Sequence, residues 1–211
     1  MRSASDVLLL IDLQYDFMPG GALAVAQGDE VVPVANRLAR EFSHVVFTQD
    51  WHPPQHVSFA AQHAGRAPFE TIALPYGEQV LWPAHCVQGT EGAALHRGLD
   101  VPHARAVIRK GHHVDVDSYS AFLEADRTTP TGLAGYLRDV GAKRVYCCGL
   151  ATDYCVAWSA LDARAAGFET VLIEDASRAI DLNGSLAAAW EQLQAAGVKR
   201  AQSADVLDGR A

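Results

Sequence analysis

Cys155 stands in "CCGLATDYCVAWSALDARAAG" (147–167), after an apolar run and a short polar turn, where a helix is expected to begin. Thr152 or Asp153 is placed to cap that helix. A thiol in a first helical turn faces free backbone N–H groups and the positive end of the helix dipole, and both favour a thiolate. The same N–H groups can hold the oxyanion of an acyl-transfer intermediate. The competing reading is a buried structural cysteine, the ordinary state of a free thiol, and Cys86, Cys147 and Cys148 are read that way. Asp12 in "LLLIDLQYDF" and Lys110 in "VIRKG" each close an apolar run in the same manner. Alone, the first could be a loop carboxylate and the second a solvated lysine before a glycine turn. With Cys155 they supply a nucleophile, a general base and a positive charge to tune both. Asp16 is expected to serve a turn or a cap.

A second group offers metal ligands. Asp50 and His52, in "TQDWHPPQHVSFAAQH", are two residues apart and lie on one side of an extended chain. A carboxylate with an imidazole suits zinc, manganese or iron. Two ligands do not make a site, and His85 in "LWPAHCVQGT" is the candidate third. His56 is a possible extra ligand. His63, His96, His103, His112 and His113 are read as surface or satisfied histidines.

The elements that position these residues follow from hydrophobic patterning. Strands are predicted at 7–13, 43–50, 106–111, 144–150 and 169–175. The run "VLLLIDL" is nearly all apolar, as in a strand buried on both faces. Helices are predicted at 29–42, 130–141, 153–167 and 185–197, the last three closed by Gly141, Gly167 and Gly197. Alternating strands and helices imply βαβ units, so a parallel sheet with helices on both faces. Ligands then bind beyond the carboxyl ends of the strands, where Asp12, Lys110 and Cys155 all fall. Residues 51–106 carry most of the prolines and histidines and are expected to be irregular.

The 211 residues suit one well-cored domain. The formal net charge is −8, with no Lys/Arg cluster, which argues against nucleic acid as a partner. The apolar run Val7 to Ile11 is too short to export or span, so no membrane association is expected and the chain is placed in the cytoplasm. Four cysteines do not make a disulfide framework, and adjacent Cys147 and Cys148 point to opposite faces of a strand.

Five stretches, in order and nearly end to end, resemble the nicotinamidase branch of the isochorismatase-like cysteine hydrolases: "LLLIDLQYDFMPGGALAV", "FTQDWHPPQHVSFA", "LWPAHCVQGTEGA", "RKGHHVDVDSYSAF" and "CCGLATDYCVAWSA". The resemblance implies a three-layer αβα fold with a mostly parallel central sheet, one hydrolase domain over 1–211. It implies a catalytic triad of Asp12, Lys110 and Cys155, and one divalent metal ion, zinc first and manganese or iron as alternatives, on Asp50, His52 and His85. It implies a cis peptide before Ala151, an oxyanion hole from the N–H groups of Ala151 and Cys155, and a pocket built with Phe17, Trp82 and Tyr119. The implied reaction is hydrolysis of nicotinamide to nicotinate and ammonia through a Cys thioester, in NAD salvage, with pyrazinamide as a further substrate. Some members have another His ligand six residues beyond the first metal His; Ser58 stands there in this chain, and a water, held by Ser58, is expected instead. The rivals are a different amidase or isochorismatase on this scaffold, an idle ligand-binding protein, and a zinc hydrolase with Cys155 as bystander. Oligomeric state is left open, a homo-oligomer included.

Overall fold

The computed structural model describes residues 2–211. Its strands are β1 (Asp6–Ile11), β2 (His44–Asp50), β3 (Thr71–Leu74), β4 (Gly77–Val80), β5 (Ala106–Lys110), β6 (Arg144–Leu150), β7 (Glu169–Arg178) and β8 (Lys199–Ala201). Six of them form one sheet in the order β5-β2-β1-β6-β7-β8, and every neighbouring pair in it is parallel. The helices are α1 (Val31–Ala39), α2 (Leu133–Asp139), α3 (Ala157–Ala165), α4 (Ser185–Ala195) and α5 (Ser203–Leu207).

Every residue of β1 and β2 is buried, because helices cover both faces. Leu8 and Leu10 point into one core with Val31, Leu38 and Val206 of α1 and α5. Val7, Leu9 and Ile11 point into the other, with Leu133, Ala160 and Leu193 of α2, α3 and α4. This is the three-layer arrangement expected. Cys148 lies in the first core and Cys147 in the second, so the adjacent thiols do face apart, and all four cysteines are free.

Three features depart from the expected pattern. The stretch 51–106 is not wholly irregular: β3 and β4 pair antiparallel across Pro75 and Tyr76. β8 and α5 lie outside the expected elements because they are only three and five residues long. The helix expected at 153–167 opens with a π-helical turn, Thr152–Val156, before α3 begins. Neither Thr152 nor Asp153 caps it. Asp153 instead accepts hydrogen bonds from Ile180 N, Asp181 N and Ser185 Oγ at 3.0, 2.8 and 2.5 Å. Among the described residues no helix is long and apolar enough to cross a membrane.

The sheet order reverses direction at β1. The chain runs from β1 outward to β2 and β5, then returns to β6 on the other side. Such a switch point opens a crevice at the carboxyl ends of the strands.

Candidate active site

Four neighbouring strands deliver one side chain each to this crevice. Lys110 ends β5, Asp50 ends β2, Asp12 follows β1, and Cys155 follows β6 in the π-helical turn. The register places Asp50 directly beside Lys110. Asp12 leaves the strand with φ 51°, a left-handed conformation that Asp tolerates better than most side chains. Its backbone N–H donates to Thr48 Oγ1 at 3.1 Å, and the same hydroxyl donates to Asp12 Oδ1 at 2.5 Å.

Lys110 is wholly buried and its ammonium is the hub. It donates to Asp50 Oδ1 at 2.6 Å, to Ser118 O at 3.0 Å and to Cys155 Sγ at 3.3 Å. Those contacts use its three protons. Asp12 Oδ2 lies 2.9 Å from Nζ but receives no aligned hydrogen bond. It is held by charge and keeps a lone pair free. Burial disfavours the ammonium, but Asp12 and Asp50 outweigh burial and hold Lys110 well above its usual range.

Burial pushes the Cys155 thiol well up, with Lys110 opposing and Asp12 and Asp50 adding to the rise. The thiolate expected from the helix end is therefore not the resting form. Burial also raises Asp12, against the pull of Lys110. A raised carboxyl is a better match for a thiol proton than an ordinary aspartate, and proton transfer between them costs less. The reactive atoms of Asp12, Asp50 and Cys155 lie within 4.8 Å of one another.

Asp50 reaches a second cluster with its other oxygen. His52 Nε2 is 3.4 Å and His85 Nε2 3.7 Å from Asp50 Oδ2. His52 Nδ1 donates to Gly111 O and His85 Nδ1 to Pro83 O, each at 2.8 Å. A proton held on Nδ1 leaves the Nε2 lone pair free, the usual support for a metal-ligating histidine. Burial disfavours charge on His52, yet Asp50 outweighs it and raises the pKa. The three donors thus converge around a place that favours positive charge, and they fit a divalent metal ion.

Two glycines leave room for His52 and for Asp16, which supports the His85 segment. A Cβ on Gly111, at φ +63°, would lie 2.4 Å from His52 Cε1, and one on Gly92 would lie 2.2 Å from Asp16 Oδ2. Asp16 indeed serves a turn, accepting from Ala22 N at 3.2 Å. Its other oxygen accepts from Cys86 N at 2.7 Å and so fastens the residue after His85.

Phe17, Trp82 and Tyr119 line a pocket that also exposes Asp50, His52, His85, Ala151 and Cys155. Trp82 Nε1 donates to Tyr119 Oη at 3.0 Å. The Leu150–Ala151 peptide is cis, and Tyr154 N and Val156 N both donate to Ala151 O at 3.1 Å. His56 and Ser58 do not line the pocket. The His56 nitrogens face Ser58 Oγ at 2.7 Å and Val116 O at 3.2 Å.

Residues 6–205 match the model of the isochorismatase domain family. The chain belongs to that family. A nicotinamidase of Acinetobacter baylyi is 55% identical over 98% of this chain and 97% of its own length. The solved nicotinamidase/pyrazinamidase of Acinetobacter baumanii superposes with a TM-score of 0.97 at 56% identity, covering 98% of this chain and 100% of that one. A pyrazinamidase of Pyrococcus horikoshii, solved in complex with zinc, has a TM-score of 0.76 at 39% identity, covering 94% and 99%.

Within this isochorismatase-family site, sequence reading missed several contributors. Leu23, Asp117, Tyr154 and Ile180 also line the pocket. Asp117 is buried and accepts from Gln79 Nε2 at 2.7 Å. Leu23, Asp117 and Ile180 come from loops without periodic pattern; Leu23 and Asp117 fall inside family-like stretches but carry no separate signal there, and Ile180 lies outside them. Tyr154 had a usable signal, since it adjoins Cys155 at the start of a helix.

Proposed function

We propose that this chain, as one hydrolase domain, is a nicotinamidase: it hydrolyses nicotinamide to nicotinate and ammonia, and pyrazinamide in the same pocket. The observation that carries the reading is that Cys155, Asp50, His52 and His85 line one aromatic-walled pocket while Asp12 and Lys110 lie buried behind it, with the Lys110 ammonium touching Asp12, Asp50 and Cys155. The names of the relatives point to the same carboxamides.

Asp50, His52 and His85 would hold one divalent ion, zinc by analogy with the Pyrococcus relative, and such an ion supplies a Lewis-acid point that can orient the ring nitrogen. Phe17 and Trp82 pack on the ring. Asp12 Oδ2 takes the Cys155 proton, and Lys110 stabilises the thiolate it already touches. The sulfur attacks the carboxamide carbon. The backbone N–H groups of Ala151 and Cys155 stabilise the oxyanion, a donor pair in which one member is typically worth about 3–4 kcal/mol. Asp12 returns the proton to the departing ammonia. Water then cleaves the thioester, nicotinate leaves and Cys155 regains its proton. The substrate is a small molecule, and the product feeds NAD salvage. The four reduced cysteines fit the cytoplasm.

The test is ammonia release from nicotinamide, before and after chelation, with acid-quenched enzyme analysed by mass spectrometry. Activity that needs metal, with a nicotinoyl adduct on the Cys155 peptide, is the expected result. Turnover without an adduct, unchanged in Cys155→Ala, overturns the thioester route.

A further inference from the structure

Just past Lys110 the chain carries two adjacent histidines that the site above does not use. His112 and His113 are exposed, and their rings lie 4.2 Å apart. Neither imidazole has a hydrogen-bond partner among the described residues. Facing them is Glu124, which is 1% exposed. Both of its carboxylate oxygens are buried without a hydrogen-bond partner. One nitrogen of each histidine and a Glu124 oxygen all lie within 4.8 Å of one another.

A buried carboxylate without a well-formed hydrogen bond is costly and calls for something that neutralises it. The backbone holds Glu124 in that position. Its N–H donates to Thr129 O at 2.9 Å, its carbonyl accepts from Arg127 N at 3.0 Å, and Ala125 N donates to Asp117 O at 2.7 Å. Burial pushes the Glu124 carboxyl up to about 7, although Lys110 and the Gly111 N–H pull the other way. Burial and the neighbouring His113 both lower His112, which favours the neutral, ligating imidazole.

We propose that His112, His113 and Glu124 form a second metal site, distinct from Asp50, His52 and His85, for a borderline first-row divalent cation such as Zn²⁺ or Ni²⁺. Two imidazoles and one carboxylate suit that class, whereas Mg²⁺ and Ca²⁺ prefer all-oxygen shells. The exposed histidines leave the remaining positions to water. The ion would tie the turn after β5 to the segment 117–131. That segment supplies the Ser118 carbonyl to Lys110 and Asp117 and Tyr119 to the pocket wall. The site therefore acts as a clasp on the active-site wall and takes no part in bond making.

The test is metal stoichiometry by equilibrium dialysis against Zn²⁺ with elemental analysis, on the full chain. Wild type is expected to hold two equivalents. His112→Ala and His113→Ala change exposed residues and should fold. Each is expected to keep one equivalent and bind the second roughly tenfold or more weakly. Glu124→Gln should do the same, and His96→Ala should keep both. A wild type holding one equivalent, or a second equivalent that survives both histidine substitutions or disappears in His96→Ala, overturns the site.

Discussion

Replacing Lys110 by methionine removes the cation on which the buried cluster depends and keeps the length of the side chain. Nζ sits 2.9 Å from Asp12 Oδ2 and 2.6 Å from Asp50 Oδ1. At an effective dielectric of about 20, each contact is worth about 6 kcal/mol before desolvation. The desolvation of the lysine itself offsets much of that gain. Deleting one partner of a buried pair nevertheless costs about 3–5 kcal/mol, because the remaining charge stays buried and unpaired. Lys110→Met in metal-free protein is therefore expected to lose about 3–5 kcal/mol at pH 7.5, read by urea denaturation with an unchanged slope. Adding Asp12→Asn removes one orphaned carboxylate and should restore about 2 kcal/mol of this. The deficit should also shrink on acidification. An aspartate whose folded pKa is raised binds its proton more tightly folded than unfolded, so its penalty fades as pH falls through that folded pKa. If Lys110→Met lies within about 1 kcal/mol of wild type, or if Asp12→Asn gives no recovery in that background, the ion cluster does not hold the site as described.

Cys155→Ala should cut ammonia release by at least about 10⁴-fold while leaving metal content unchanged, as elemental analysis will show. His52→Ala should reverse that pattern, losing metal by at least about 100-fold in affinity and raising KM for nicotinamide. Thr48→Val removes the hydroxyl that lowers Asp12. The acid limb of the kcat/KM profile should move to higher pH, and a shift to lower pH would contradict the role given to Asp12. In metal-free protein Glu124 titrates at about 7 against an ordinary 4.5, so wild type loses stability as pH rises through that interval. Glu124→Gln escapes the loss, and its stability relative to wild type should grow by up to about 3 kcal/mol between pH 5 and pH 8; a difference independent of pH would count against the buried charge.

Asp12 and Lys110 were legible because each ends an apolar run, which in a parallel sheet marks the carboxyl edge, whereas Asp50 was legible from its two-residue spacing to His52. Cys155 needed its helix start as well, and the π-helical turn there has no sequence signature separate from an α-helix. The hairpin of β3 and β4 escaped because "TIAL" and "GEQV" are short and the one residue they bury, Gln79, is polar. Supporting contacts were out of reach for another reason. The Ser118 carbonyl on Lys110 and the Pro83 and Gly111 carbonyls on the histidines are backbone groups, which every residue carries. Glu124 was passed over because its neighbours in sequence are ordinary, and only the fold brings His112 and His113 to it.

The space above Gly111 and Gly92 has a genetic consequence. The ring of His52 and the carboxylate of Asp16 occupy the volume that any larger residue would need. A missense change at Gly111 would therefore displace the His52 ring, and one at Gly92 would move the Asp16 carboxylate off Cys86 N, while every residue with a chemical role stayed intact. In a mutational scan these two codons should tolerate as little as the codon for Cys155, and inspection of the reacting groups alone would give no hint of it.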